Sequence, residues 1–276
     1  MEKYSVLMSV YNKEKPSYLR ESIDSMVSQT EKPDEIIIVK DGPLGKELDD
    51  VIKEYKDKRP ELFVILELPE NKGLGNALNK GLEISKNELV ARMDTDDISL
   101  PDRCKKQLME FEKNKNLCIV GTQINEFIDQ PTEIIRSRVV PLTYDDILEF
   151  SKRRSPFNHP TVMYKKSKVL ELGGYRTYGR KEDLDLFIRM IHENSYAINL
   201  NEVLLLYRSN QDNLQRRRSW VNCSEYISIM YSFYKKGYSR ITDILYVVVG
   251  QLAMYIMPRC IISKLSNKYL RKKAIL

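Results

Sequence analysis

The stretch Leu89-Val-Ala-Arg-Met-Asp-Thr-Asp-Asp-Ile98 joins a short apolar run to three carboxylates within four residues. The apolar run is typical of a buried β-strand. Carboxylates this close together repel one another unless a cation neutralises them. Because Mg²⁺ and Mn²⁺ prefer oxygen ligands and often bridge to phosphate oxygens, Asp94-x-Asp96 is a candidate site for a metal-bound diphosphate. The alternative is an acidic helix start that includes Asp97, Ser99 and Pro101.

The residues before this stretch alternate short apolar runs with amphipathic segments, a pattern typical of βαβ units and a mostly parallel sheet. The pattern predicts strands over Tyr4–Val10, Glu35–Val39, Phe63–Leu66 and Leu89–Met93, and helices over Tyr18–Ser28 (with Ser17 as N-cap), Leu48–Tyr55 and Leu74–Ile84. Ligands of open α/β sheets bind where the carboxyl ends of strands meet. The first half is therefore predicted to be a Rossmann-like nucleotide-binding fold, although its sequence has neither G-x-G-x-x-G nor a Walker A motif.

The composition is that of a folded protein with one large core, since 42% of the 276 residues are hydrophobic and 30% are charged. The four cysteines are far apart and have no C-x-x-C spacing, which argues against structural zinc and a disulfide framework. This cysteine usage fits a reducing compartment. The first residues lack the basic and apolar regions of a secretory signal, so a cytoplasmic location is expected.

The formal net charge of +6 is unevenly distributed. From Arg208 onward there are 13 Lys and Arg against 3 Asp and Glu, whereas residues 1–207 have a net charge of −4. The uncharged apolar run Ile244–Met257 is shorter than the roughly 20 residues that span a bilayer. Cations follow this run from Arg259 to Lys273, so we expect a helix that lies on the inner membrane surface and no nucleic-acid partner. Packing against the body, or at a homodimer interface, is the alternative.

A second acidic segment begins at Glu182-Asp183 and continues as an amphipathic helix pattern. A well-placed carboxylate can act as a general base even when its pKa is low. The alternative is that Glu182, Asp183 and Asp185 only interact favourably with the helix dipole. His159, in an Asn-His-Pro turn, is either a structural hydrogen-bonding residue or part of a pocket, and His192 is expected to be structural.

Four segments, in order, resemble family 2 glycosyltransferases of the GT-A fold. They are Ser5–Asn12, Ile36–Gly42, Asn71–Asn79 and Met93–Asp97, and weaker similarity continues to about residue 210. The resemblance implies an α/β fold with a mixed sheet flanked by helices, and the apolar and basic C-terminal residues predict a helical, amphipathic extension after it. Residues 1–210 would form the GT-A domain, with a nucleotide-sugar part (1–105) and an acceptor part (106–210). Residues 211–276 would form the basic, membrane-associating tail.

The resemblance also implies an inverting, metal-dependent transfer of a sugar from a nucleotide sugar, usually a UDP-sugar, to an acceptor hydroxyl. The acceptor would be a saccharide, or one linked to a lipid, in synthesis of a surface polysaccharide such as capsule. Asp183 would be the catalytic base, Glu182 and His159 would border the pocket, and Asp94 and Asp96 would hold Mn²⁺ or Mg²⁺. The donor-binding residues would be Tyr11, Asn12, Asp41, Lys72, Gly73, Asn76, Arg92, Asp94, Asp96 and Arg208.

Three other possibilities follow from the residues. The segment Gln215-Arg-Arg-Arg-Ser-Trp220 has one residue more than the Gln-x-x-Arg-Trp element of processive synthases, so polymerisation is not expected. Its arginines would either bind the leaving diphosphate or form a solvated helix face. A sugar nucleotidyltransferase should have a basic Gly-rich loop after the first strand, which the sequence after Val10 lacks. A catalytically inactive scaffold or lipid-binding protein is the remaining alternative, against which the intact Asp41, Asp94, Asp96 and Asp183 argue.

Overall fold

The computed structural model describes residues 1–176, 181–193, 195–209 and 219–257. The described strands are β1 (Tyr4–Val10), β2 (Glu35–Lys40), β3 (Phe63–Glu67), β4 (Leu89–Met93), β5 (Ile98–Ser99), β6 (Leu117–Phe127), β7 (Arg136–Arg138), β8 (Met163–Lys165) and β9 (Tyr196–Arg208). The described helices are α1 (Pro16–Val27), α2 (Lys46–Lys58), α3 (Leu74–Ile84), α4 (Arg103–Lys113), α5 (Tyr144–Ser151), α6 (Lys166–Glu171), α7 (Glu182–His192), α8 (Trp220–Lys235) and α9 (Ile241–Ile256).

Within these residues the strands form one mixed sheet in the order β3-β2-β1-β4-β8-β6-β9-β5, and β7 pairs with β6. The first four strands of this order are parallel. β8 is antiparallel to both of its neighbours, and β6 and β9 are parallel to each other. Helices flank the sheet, so the predicted mixed α/β architecture is confirmed. Because β1, β2 and β4 run in the same direction, their carboxyl ends lie at one edge of the sheet.

The core lies on both faces of this sheet. Alternate residues of β1 point to opposite sides: Val6, Met8 and Val10 belong to one buried cluster, and Leu7 belongs to the other. On the second side, α3 approaches very closely, since a Cβ added at Gly81 would lie 2.2 Å from Leu7 Cδ1. A glycine at this position therefore allows α3 to lie directly against the sheet.

Several predicted boundaries agree with the structure and others differ. β1, α3 and β4 have the predicted limits. The predicted N-cap Ser17 is wrong, because α1 begins at Pro16, two residues before the predicted start at Tyr18, and its N-cap is Lys15. An acidic helix start at Asp97 is also wrong, because Ile98 and Ser99 form a strand paired with β9 and α4 begins only at Arg103.

The two C-terminal helices, α8 and α9, pack on each other and on α7. Their shared buried cluster consists of Leu184, Ile188, Ile229, Met230, Phe233, Ile244 and Val247. An ion pair between Arg153 Nε and the buried Asp243 Oδ1, 2.7 Å apart, also attaches α9 to the segment after α5. No helix in the described ranges is both long and apolar enough to span a bilayer.

Candidate active site

Polar side chains follow three parallel strands at the same edge of the sheet. Tyr11 and Asn12 follow β1 and are exposed, and Asp41 follows β2 and is buried. The acidic segment 94–97 follows β4. The structure thus brings together residues that are up to 86 positions apart in the sequence, at the edge where ligands of α/β sheets bind.

Asp41 holds the loop that leads into α3. Its Oδ1 accepts a hydrogen bond from the backbone N–H of Lys72 at 2.9 Å, and its Oδ2 accepts one from Gly73 at 3.1 Å. The adjacent Gly42 has a φ of +85°, and a Cβ there would lie 2.7 Å from the backbone nitrogen of Asn71. Only glycine fits this close approach without strain. The loop and the first turn of α3, which carries Asn76, are therefore fixed against the end of β2.

The acidic segment forms a compact cluster. Asp94, Asp96 and Asp97 each have a carboxylate oxygen within 4.8 Å of the others. Burial, and then the neighbouring charges of Asp94 and Glu14, raise the pKa of Asp96 to about 7. Burial, followed by the charges of Asp96 and Asp94, raises the pKa of Asp97 well above its ordinary value. A hard divalent cation would relieve this repulsion, and an all-oxygen ligand set suits Mg²⁺ or Mn²⁺, so the residues fit such an ion.

Arg208, at the end of β9, donates hydrogen bonds to this cluster. Its backbone N–H donates to Asp97 Oδ1 at 2.8 Å, and its Nε donates to the backbone oxygen of Asp96 at 2.9 Å. The guanidinium lies between the rings of Tyr18, at 3.9 Å, and Phe127, at 4.5 Å. Only 6% of Arg208 is exposed. The side chain thus fixes the backbone of the acidic turn, and the predicted contact of Arg208 with the donor stays a prediction.

The second acidic pair opens α7 and lies against the start of α3. A Cβ added at Gly75 would lie 3.3 Å from Glu182 Cβ. Burial, and then the charge of Asp183, raise the pKa of Glu182 to about 7. Burial also raises the pKa of Asp183. By contrast, Asp185 forms a buried ion pair with Arg189, 2.7 Å away, so its role is structural.

The buried Arg92 lies between the two acidic groups. Its Nη2 pairs with Asp94 Oδ1. The same guanidinium interacts electrostatically with Asp96 and Asp97, and also with Glu182 and Asp183. Arg92 is 1% exposed, and its Nε and Nη1 have no hydrogen-bond partner among the described residues. Unpartnered buried donors at this position are available to a bound oxyanion or hydroxyl group.

His159 lies beside this site as a neutral hydrogen-bonding residue. Its Nε2 is 3.2 Å from the hydroxyl of Tyr175, and its ring contacts that of Phe187. Burial, and then the charge of Arg92, lower the pKa of His159 well below its ordinary value. Tyr175 is itself held by Asn79, which exchanges two 2.8 Å hydrogen bonds with its backbone. His159 is therefore uncharged at neutral pH, and its contacts with Tyr175 and Phe187 fit a structural residue that borders the site. The other histidine, His192, stacks on Tyr238 at the end of α7.

Sequence reasoning missed several residues that shape the site. Glu14 Oε2 accepts a hydrogen bond from Thr95 at 2.8 Å, and Glu21 pairs with Arg208. The fully buried Arg103 donates to the carbonyls of Pro160, at 2.7 Å, and Arg92, at 3.2 Å. Most of these partners are 57 to 187 residues apart in sequence, so no local pattern could have indicated them. The predicted arginines of segment 215–218 lie outside the described residues.

The mixed sheet, with an Asp-x-Asp cluster at the carboxyl edge of its parallel strands, is similar to the GT-A class of folds. Residues 5–186 match the model of Glycosyl transferase family 2. The chain therefore belongs to the family 2 glycosyltransferases.

Two curated relatives illustrate the range of this similarity. The amylovoran biosynthesis glycosyltransferase AmsE of Erwinia amylovora is 39% identical over 217 residues, which are 79% of this chain and 80% of AmsE. An Escherichia coli UDP-Gal:alpha-D-GlcNAc-diphosphoundecaprenol beta-1,3-galactosyltransferase is 32% identical over 270 residues, or 98% of this chain and 97% of that enzyme.

A solved structure shows the same fold. The mannosyltransferase PcManGT of Pyrobaculum calidifontis, in complex with GDP-Man and Mn²⁺, superposes with a TM-score of 0.63 at 14% identity. The match covers 97% of this chain and 79% of that chain. The GT-A architecture that the sequence predicted is therefore confirmed.

Proposed function

We propose that this chain is an inverting glycosyltransferase that moves a sugar from a UDP-sugar to an acceptor hydroxyl. The observation that carries the proposal is the arrangement of two acidic groups around one buried guanidinium: the Asp94–Asp97 cluster and the Glu182–Asp183 pair around Arg92. Such an arrangement suits a phosphate-bearing donor beside a proton acceptor. Family membership favours glycosyl transfer over nucleotidyl transfer.

The nucleotide would lie along the carboxyl ends of β1 and β2. Tyr11, Asn12 and Asp41 would contact the nucleoside, and Lys72, Gly73 and Asn76 would line the cleft. Arg92 and Arg208 would lie on the diphosphate and sugar side, where Arg92 has unpartnered donors. The choice of a UDP-sugar is supported by the galactosyltransferase of Escherichia coli, whose donor is UDP-Gal.

The acidic cluster would hold the divalent ion through Asp94 and Asp96. When bound, Mn²⁺ or Mg²⁺ supplies positive charge to the diphosphate that leaves the sugar. The chain's own residues hold the ligands in place, because Arg92 pairs with Asp94 and Arg208 binds the backbone of Asp96. This support keeps the oxygens in position before the donor arrives.

Asp183 would accept the proton of the acceptor hydroxyl while its oxygen attacks the anomeric carbon. The new bond joins the acceptor oxygen to that carbon, and the bond to the diphosphate oxygen breaks on the opposite face. The products are a glycoside with inverted configuration and a nucleoside diphosphate, with the proton on Asp183. The neutral His159 and the adjacent Glu182 would border the acceptor pocket.

The acceptor is proposed to be a lipid-linked saccharide in surface polysaccharide synthesis, reached at the inner membrane surface. Two relatives support this choice: one acts in amylovoran biosynthesis, and the other uses a diphosphoundecaprenol-linked acceptor. A free saccharide would use the same chemistry.

The proposal is tested by calorimetry with a panel of UDP-, GDP- and TDP-sugars, with and without Mn²⁺, followed by a transfer assay. We expect one UDP-sugar to bind in a metal-dependent manner. Asp96→Asn should weaken this binding by about tenfold or more, because it removes a ligand charge. Asp183→Asn should leave donor binding intact and lower the transfer rate by about a hundredfold or more, because it removes the proton acceptor.

Asp57→Asn, an exposed change of the same type on α2, is the control and should affect neither property. If no nucleotide sugar bound with any metal, the chain would be better described as an inactive scaffold. Full transfer by Asp183→Asn would refute the assignment of the base while leaving the donor site in place.

A further inference from the structure

One face of α9 is apolar and open to solvent. Leu245, Val249 and Ile256 are 58%, 66% and 72% exposed. Together with two further exposed residues they form a single stripe, which we call the outer face of α9: Ile241, Leu245, Val249, Leu252 and Ile256. Their spacing of three or four residues places all of them on one side of the helix. A contiguous apolar surface of this kind marks an interaction site.

The outer face is held rigidly to the body by the opposite side of the same helix. Ile244 and Val247 are buried against α7 and α8. Asp243, 1% exposed, pairs with Arg153 and also accepts a hydrogen bond from the backbone N–H of Arg240 at 3.0 Å. Packing of one side of α9 against α7 and α8 thus explains its buried apolar residues, but it does not explain the exposed apolar residues of the outer face.

Aromatic residues border the outer face. Trp220 at the start of α8 contacts Tyr255 near the end of α9, with ring centroids 5.5 Å apart. Trp220, Tyr246 and Tyr255 are each about half exposed. Tryptophan and tyrosine have an apolar ring and a polar group, and they are favoured where a bilayer meets water.

The charge of the neighbouring sequence decides between a lipid surface and a second copy of the chain. Residues 258–276 contain six Lys and Arg and no Asp or Glu. Two copies that met through α9 would bring these cationic segments together, at a cost in electrostatic repulsion. Anionic lipid headgroups attract the same cations, at about 1 kcal/mol for each near the surface. The charge pattern therefore favours an anionic bilayer.

We propose that the outer face of α9, with Trp220, Tyr246 and Tyr255, binds the surface of an anionic lipid bilayer. The role of this binding rests on the proposed function: it would bring a lipid-linked acceptor to the site. α9 packs on α7, and α7 begins with Glu182 and Asp183. Bilayer binding through α9 therefore holds the helix that carries the proposed base at a set distance from the lipid surface.

The test is sedimentation of the full chain with phosphatidylcholine vesicles, prepared with and without phosphatidylglycerol, in the absence of donor and acceptor. We expect binding to the vesicles that contain phosphatidylglycerol and weaker binding at high salt. Leu245→Glu and Val249→Glu should each reduce this binding by about tenfold or more, because each places a charge on the inserted face.

Leu170→Glu is the matched control, since Leu170 is an exposed leucine on a different helix, α6, and is 42% exposed. It should bind vesicles like the unaltered chain. Retained donor binding by all three variants would show that each is folded. Asp96→Asn should bind vesicles normally, so a failed donor site would not be confused with a failed membrane surface.

Three outcomes would overturn the proposal. Leu245→Glu and Val249→Glu could bind as well as the unaltered chain, or Leu170→Glu could lose binding equally. The unaltered chain could also ignore the vesicles and form a dimer in light scattering that Leu245→Glu dissociates, which would assign the outer face to a second copy.

Discussion

The guanidinium of Arg92 links two acidic groups that come from distant parts of the chain. It pairs with Asp94, two residues away, and interacts with Glu182, which is 90 residues away. Its positive charge opposes the rise in pKa that burial and neighbouring carboxylates cause in both acidic groups. The consequence is a site whose charges depend on one another, so the ionisation of Glu182 should be visible in the stability of the whole protein.

Glu182→Gln should change how stability depends on pH. The pKa of Glu182 is raised from 4.5 to about 7, so the folded state retains a proton that the unfolded chain loses near 4.5. The protonated carboxyl therefore contributes fully to the free energy of unfolding below pH 4.5, and this contribution is lost as the pH rises through about 7. Because glutamine cannot ionise, the free energy of unfolding of the variant should exceed that of the unaltered protein by about 3 kcal/mol at about pH 8, and differ little near pH 4.

Urea unfolding at several pH values measures this difference. Glu133→Gln, on an exposed part of the chain, provides the control and should show no such pH dependence. A stability difference for Glu182→Gln that stayed constant from acid to alkaline pH would contradict a raised pKa.

Among the elements, α3 connects the loop at Lys72 and Gly73 to the sheet and to α7. Its start is fixed by hydrogen bonds that the backbone N–H groups of Lys72 and Gly73 donate to Asp41, and its middle lies against β1 at Gly81. Its first turn touches Glu182 through Gly75. Small displacements of this helix would therefore move both the loop and the second acidic pair.

Gly81→Ala should destabilise the protein by about 1–3 kcal/mol, because the added Cβ would lie 2.2 Å from Leu7 Cδ1 and 3.0 Å from Val39 Cγ2. Gly250→Ala is the matched comparison, since Gly250 is also helical but a Cβ there meets nothing within 4 Å. It should stabilise the protein by about 0.5–1 kcal/mol through helix propensity. Denaturant unfolding of both variants measures whether each change lowers or raises the free energy of unfolding. An equal effect of the two changes would show that packing at Gly81 is unimportant.

At the scale of the whole molecule, the C-terminal helices form a layer that covers α7. Leu184 and Ile188 of α7 contact the buried residues of α8 and α9. Lys181, just before α7, donates from its Nζ to Asn222 Oδ1 of α8 at 2.7 Å. The helix that carries Asp183 is thus packed between the sheet and the C-terminal helices.

Asp243→Ala should loosen this layer selectively. The change removes the buried carboxylate that pairs with Arg153 and accepts a hydrogen bond from the backbone N–H of Arg240. The free energy of unfolding should fall by about 1–3 kcal/mol. Hydrogen–deuterium exchange should accelerate in residues 219–257 and stay unchanged in β1 and β2. Asp145→Ala, an exposed change in the first turn of α5, should leave exchange in both regions unchanged. Uniform acceleration across the sheet would instead mean that α9 and the sheet unfold together.

Local sequence patterns were enough to predict the parallel half of the sheet and the position of the acidic segments. The limits of β1, α3 and β4 could be predicted because strand and helix patterns are local: apolar alternation or runs, glycines and prolines act within a few residues. The similarity of four short segments to one family was also visible in the sequence, and it was confirmed.

Which of these residues meet, and which side of each helix stays exposed, depends on how the helices and strands pack against one another. The support of Asp96 and Asp97 by Arg208, and the neutral state of His159, depend on contacts across more than 60 residues and on burial. The two apolar sides of α9 are indistinguishable in composition, and only packing against α7 buries Ile244 and leaves Val249 exposed. Long-range contacts arise when elements pack against each other, so a local pattern carries no record of them.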